Sequence, residues 1–232
     1  MSHTLVIFDI DGTLLYSNAI DSRCFADSYR RVFNRPFPTI DWTQFPHVTD
    51  HVIFQTAFQN HFGRVATAAE REVFLEDYLT RLHAGRRATP EAFREVPGAR
   101  AIVRRLLATE EFQVGIGTGG WERPALVKLA HIGIDPTPLY CGYADGQPTR
   151  EAIIQTSVDK CTEREGAPAR VVYVGDAIWD VQTTRRLGMP FIGIRRAGDH
   201  QWLRAAGAQT VLTDFSEPET VLKAIREATP PK

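Results

Sequence analysis

Apolar residues in this chain follow two patterns. Short uninterrupted runs stop at a small or acidic residue: LVIFD at Leu5 to Asp9, FQVGIGT at Phe112 to Thr118 and RVVYVGD at Arg170 to Asp176. Runs of this length without polar alternation suit strands buried on both faces. Met189 to Ile194 and Ala208 to Asp214 predict two further short strands. Elsewhere the apolar positions recur every three or four residues. Ala99 to Glu110 carries Ile102, Val103, Leu106 and Leu107, and the segment after the third strand carries Ile178, Val181 and Leu187 before Gly188, which can end a helix. Strands alternating with helices predict an α/β fold, a Rossmann-like parallel sheet core covered by helices.

One long segment breaks that rhythm. From Tyr16 to Ala92 the spacing is helical (Cys24, Phe25, Tyr29; Val52, Ile53, Phe58; Val73, Phe74, Tyr78, Leu82), and nothing reads as a buried strand. So many residues cannot be a plain loop. Residues 1–15 and 93–232 are therefore expected to form the core, with 16–92 an inserted helical domain that rejoins it at Val96 to Arg100. Inside the insert, Asn34 to Pro46 reads as an extended or turn-rich connection, because Pro36, Pro38 and Pro46 disfavour helix interiors.

Composition changes this picture little. The chain has 232 residues, 43% of them hydrophobic, enough for a substantial core, and its net charge of -1 gives no global basic excess that would point to nucleic acid or membrane. Cys24, Cys141 and Cys161 are odd in number and far apart, which provides no disulfide framework and fits a reducing compartment. The first residues reach acids almost at once instead of forming a secretory signal, and no apolar run approaches the roughly 20 residues that cross a bilayer. A cytoplasmic protein is expected.

The chemistry collects where the strands end. In a parallel sheet, ligands bind beyond the carboxyl ends of the strands. Asp9 and Asp11 leave the first strand with alternate side chains on one side, Gly12 permits tight backbone, and Thr13 can cap the turn. Two carboxylates so placed need a cation or a proton to offset their repulsion. Asp176 and Asp180 leave the third strand, and a cluster of acids with no His or Cys among them suits a hard ion, Mg2+ before zinc. The second strand ends in Thr118, Gly119 and Gly120, a hydroxyl with free backbone donors that can cradle an anion.

FDIDGT, IGTGG and VGDAIWD, in this order and spacing, resemble the motifs of the haloacid dehalogenase superfamily, specifically its phosphoglycolate-phosphatase-like hydrolases. The resemblance covers nearly the whole chain and makes residues 16–92 look like the helical cap that those enzymes insert. It implies a Mg2+-dependent phosphatase that hydrolyses a small phosphorylated metabolite. Asp9 would be the nucleophile and Asp11 the general acid and base. Asp9, the Asp11 backbone carbonyl and Asp176 would hold the metal with Asp180 in support, and Gly12, Thr118 and Gly119 would bind phosphate. Where the family pattern has a lysine, this chain has Arg150, which keeps the charge but constrains the geometry. Lys128 and Lys160 are the alternatives for that cation.

Other candidates carry bland readings beside functional ones. Trp121 and Arg123 line the cleft mouth or pack at the surface. His47, His51, His61 and His83 are expected to be structural, Arg23 solvated, and Phe25, Phe54, Phe58, Phe62 and Phe74 the insert's own core. No lysine precedes Lys128, so the insert cannot form a lysine Schiff base, and Asp11 sets the chain apart from the superfamily's dehalogenases. Two alternatives remain: a sugar phosphomutase with the same aspartyl-phosphate chemistry, and a non-catalytic small-molecule-binding protein. A monomer or homodimer is expected, with neither nucleic acid nor membrane as partner.

Overall fold

The computed structural model describes residues 3–45 and 47–232. Among them six strands form one sheet: β1 (Thr4–Phe8), β2 (Phe112–Gly117), β3 (Tyr140–Gly142), β4 (Arg170–Gly175), β5 (Phe191–Ile194) and β6 (Thr210–Leu212). Every pairing is parallel and the spatial order is β3-β2-β1-β4-β5-β6. β1 therefore lies inside the sheet, and Leu5, Val6, Ile7 and Phe8 are all fully buried. This is why the run shows no polar alternation. β3 is a strand that apolar patterning does not reveal. It has three residues, lies at the sheet edge, and ends at Gly142.

Register sets the height of the strand ends. Phe8 pairs with Ile116 of β2 and with Val174 of β4, so Asp9, Thr118 and Asp176 follow the last paired residues at one edge. Six helices cover the sheet: α4 (Ala99–Leu107), α5 (Glu122–His131), α6 (Arg150–Glu165), α7 (Ile178–Arg186), α8 (His200–Ala205) and α9 (Pro218–Glu227). In α4 the buried residues Ile102, Val103 and Leu106 follow the predicted stripe, while Leu107 is partly exposed and the helix stops there, short of Glu110. Gly188 stands just past α7 with φ of 60°, the left-handed conformation its position calls for.

Residues 18–88 hold the remaining helices, α1 (Asn18–Phe33), α2 (Asp50–Phe62) and α3 (Ala68–Ala88). Both long connections to the sheet run side by side: the Tyr16 N–H donates to the Arg94 carbonyl, and the Val96 N–H to the Leu14 carbonyl. α3 begins at a capping box in which Thr67 and Glu70 satisfy each other's backbone donors. Buried Phe25, Phe54, Phe58, Phe74, Tyr29 and Tyr78 pack the three helices together. Phe62 and Val73 are exposed at this helical layer's surface and are not part of its centre. Between α1 and α2 the chain is irregular apart from one 3-10 turn at Trp42–Gln44, in keeping with Pro36 and Pro38; Pro46 lies outside the described residues. No helix among the described residues is long and apolar enough to cross a membrane.

Candidate active site

The turn after β1 is built around one carbonyl. Thr13, Leu14 and Leu15 direct their N–H groups to the Ile10 carbonyl, and the Gly12 N–H donates to Leu15. Gly12 has φ of +81°, and a Cβ there would overlap the Asp176 carboxylate, so the close approach of the two loops requires glycine. The Thr13 side chain does not cap this turn: its hydroxyl is buried without a partner among the described residues.

Asp9 is buried, and Nη2 of Arg150 lies 3.5 Å from its Oδ2. Arg150 opens α6, where Thr149 caps the helix by accepting from the Ala152 N–H. Its guanidinium enters the core, donating to Asp180 Oδ1 at 2.6 Å, to the Tyr173 hydroxyl at 2.9 Å and to the Val48 carbonyl at 3.3 Å. Its Nε has no partner among the described residues. Tyr173 in turn donates to the Gly117 carbonyl at 2.6 Å, tying the cation to the end of β2. Asp180 is fully buried; its Oδ2 accepts from the Ala177 N–H at 3.0 Å.

Carboxylate oxygens of Asp9, Asp176 and Asp180 come within 4.8 Å of one another. Burial, more than any single neighbour, raises the Asp9 carboxyl to about 7; Arg150 opposes this, and Asp180 and Asp11 add to it. Burial likewise pushes Asp176 well above the usual carboxylate range, with Asp180 and Asp9 adding to the effect and Arg195 opposing it. Arg195 was not among the sequence candidates; its Nη1 stands 3.6 Å from Asp176 Oδ2.

Thr118 is buried, and its hydroxyl oxygen accepts from the Gly120 N–H at 3.2 Å. Asp9, Asp11, Thr118, Gly119 and Arg150 line one cleft together with side chains of the helical layer. Gly12 and Asp176 line an adjoining cavity with Arg195 and Arg196, and Asn18 lines both. Gly119 occupies its place because a Cβ would come within 2.6 Å of the Val48 carbonyl oxygen and 2.5 Å of Arg150 Nη1. The loop before α2 thus packs directly on the loop after β2, and the Asp50 N–H donates to the Gly119 carbonyl at 2.7 Å.

Asp11 belongs to a second charge network. Its Oδ1 accepts from the Ser17 hydroxyl, and its Oδ2 is 2.7 Å from Nζ of Lys128, which projects from α5. The same ammonium lies 2.9 Å from Asp21 of α1, and Tyr78 of α3 donates to Asp21 at 2.5 Å. Lys128 is only 2% exposed. Burial alone would depress its pKa, but Asp11, Asp21 and Asp50 reverse this and raise it. Asp50, at the start of α2, accepts from the Trp121 N–H at 3.0 Å, and burial followed by the Asp21 charge pushes its carboxyl up to about 8. Lys160 bonds the Cys141 carbonyl at 2.7 Å, away from the cleft.

The remaining candidates are structural. Trp121 is buried against Phe25, Phe54 and Phe74, and Arg123 pairs with Glu72 and Glu76 of α3. His47 precedes α2 while His51 lies inside it, so they do not share a helical face. His61 bonds the Tyr29 hydroxyl, and Arg23 is exposed.

A fold with one buried carboxylate at the end of an internal strand, a second two residues on, a hydroxyl at the end of β2 and more acid beyond β4 defines a class of α/β hydrolytic enzymes. The chain belongs to the haloacid dehalogenase-like hydrolase family, whose model matches residues 6–194. Among curated proteins none matches. Solved structures share the fold at low identity. A hydrolase from Pseudomonas syringae has 20% identity and a TM-score of 0.70, with 96% of this chain and 98% of that one covered. A Bacteroides vulgatus protein whose beta-phosphoglucomutase assignment is itself provisional has 14% identity and a TM-score of 0.65, covering 97% and 89%. A predicted phosphoglycolate phosphatase from Haemophilus somnus has 16% identity and a TM-score of 0.61, covering 96% and 99%.

Proposed function

We propose that the protein is a Mg2+-dependent phosphatase that hydrolyses a small phosphate monoester through an aspartyl-phosphate. The observation that carries this reading is the buried Asp9, with Arg150 beside it and the Thr118 hydroxyl in the same cleft. An ionised carboxylate in that setting is a nucleophile, and the guanidinium, with its unpartnered Nε, offsets charge on the phosphoryl oxygens.

The residues fit a hard divalent cation. Three carboxylates converge, and the absence of a side chain at Gly12 lets the Asp176 carboxylate sit against the backbone of the Asp11 turn. Asp9, Asp176 and the Asp11 backbone carbonyl would hold the ion. Asp180, whose oxygens are engaged by Arg150 and Ala177, supports it from behind. Bound there, Mg2+ would screen the repulsion between phosphate and Asp9.

Asp9 attacks phosphorus as the bond to the leaving oxygen breaks, and Asp11 gives that oxygen its proton. Asp11, now ionised, takes a proton from water, whose oxygen attacks the same phosphorus and releases phosphate from Asp9. Residues 16–92 act as a cap whose loop at Val48 to Asp50 closes on Gly119 and keeps bulk water from this sequence.

Phosphate release from small esters, with and without Mg2+, tests the proposal. Asp9→Asn and Asp11→Asn should each nearly abolish turnover. Undiminished metal-dependent release by Asp9→Asn would overturn the nucleophile, and faster transfer to an added sugar hydroxyl than to water would make the enzyme a mutase.

A further inference from the structure

The leaving-group side of the cleft is acidic. Beyond Asp9 and Asp11 its wall comes from the helical layer and includes Asp21, Asp50, Phe25 and Trp42. Among the described residues that line the cleft, Arg150 is the one cation, and it is committed to Asp9, Asp180, Tyr173 and the Val48 carbonyl at the phosphate end. Lys128 reaches this region from behind, but its ammonium is divided between Asp11 and Asp21. Asp11 and Asp21 share this one lysine, and Asp50 lies in the same field without a direct pair to it. The hydrogen bond to Asp50 is a neutral one, from the Trp121 N–H.

An anionic leaving group would enter this wall without a positive partner. A carboxylate two atoms from the ester oxygen would meet acidic side chains there and no uncommitted cation, in a poorly solvated cleft where an unpaired anion is costly. A cation meets the opposite situation. Asp21 and Asp50 offer carboxyl oxygens as acceptors, and the rings of Phe25 and Trp42, edge-on to each other at 5.9 Å, add aromatic surface of the kind that attracts ammonium groups. The cleft is also small, about 70 Å³, which favours a leaving group of few non-hydrogen atoms.

Resting on the phosphatase reading above, we infer that the substrate is the phosphate ester of a short amino alcohol, its ammonium group held by Asp21 and Asp50 beside Phe25 and Trp42. The raised pKa of Asp50 is consistent with a carboxyl that gains from a positive partner.

Three esters of matched length isolate the terminal group: 2-aminoethyl phosphate, 2-hydroxyethyl phosphate and carboxymethyl phosphate. With the full-length protein and Mg2+, kcat/KM should be about tenfold or more higher for the amino ester than for the hydroxyl ester, and lowest for the carboxylate. Asp50→Asn should bring the amino-to-hydroxyl ratio towards one. Because the ratio is taken within one preparation, a partly misfolded variant still reports it. Equal rates for the amino and hydroxyl esters, preference for the carboxylate, or an unchanged ratio in Asp50→Asn would overturn the assignment. p-Nitrophenyl phosphate separates the two levels of failure. Hydrolysis of that ester without amino preference overturns the substrate class alone, whereas no hydrolysis of any ester overturns the phosphatase reading and this inference with it.

Discussion

Lys128→Met should be far more damaging than a lysine substitution on a surface helix. The wild-type ammonium is 2% exposed and lies 2.7 Å from Asp11 and 2.9 Å from Asp21, with Asp50 adding to the field that raises its pKa. Methionine fills similar volume, so the change removes charge more than packing. It leaves carboxylates confined together without their counter-ion, and breaking a buried pair in this way costs about 3–5 kcal/mol. In a protein of this size that is a fall in Tm of roughly 6–20 °C. Differential scanning calorimetry and urea unfolding measure it directly.

The sign with pH follows from the same charges. Burial raises the Asp21 carboxyl above its unfolded value, with the nearby Asp11 charge adding to the rise and Lys128 opposing it. A carboxyl shifted upward favours the folded state below its unfolded pKa and loses that advantage as pH rises through its folded pKa. Without Lys128 the upward shift grows, so the gap between variant and wild type should be widest near pH 8 and narrow towards pH 5. Lys128→Met combined with Asp21→Asn should recover part of the loss, the non-additivity expected of contacting charges. A single variant as stable as wild type at pH 8, with no recovery in the double variant, would refute the buried triad.

Arg150→Lys should keep measurable phosphate release while Arg150→Met lowers kcat/KM by roughly a hundredfold, since the charge beside Asp9 matters more than the fork that also holds Tyr173; equal losses in both would show that the hydrogen-bond geometry dominates. Gly119→Ala must displace either the Val48 carbonyl or Arg150, so it should destabilise the protein by about 1–3 kcal/mol and raise KM, whereas Gly63→Ala, with no atom near its Cβ position but a positive φ, should leave KM unchanged; steady-state kinetics on both variants decides this.

Much of the core was legible because its strands are buried on both faces and therefore carry an uninterrupted apolar signal. β1, β2 and β4 announce themselves this way, and their shared direction brings Asp9, Thr118 and Asp176 to one edge. β3 carries no such signal: three residues at an edge, ending in glycine, are too few for any period to register. The Lys128 network was hidden for a different reason. Nothing in LVKLAH distinguishes a lysine that turns inward from one that is solvated, because its burial depends on Asp11 and on Asp21 in the helical layer. Asp50 was missed likewise, since its partners at Gly119 and Trp121 come together only through the fold.

The placement of β1 also has a consequence for how the chain is made. Both of its neighbours, β2 and β4, lie more than a hundred residues downstream, so β1 is made long before either partner exists. The aromatic centre of α1, α2 and α3, by contrast, is assembled from residues close in sequence and can condense while the rest is still being translated. The apolar segment that leads to Asp9 must therefore wait unpaired, and a nascent chain stalled before β2 would present it as an open template for aggregation.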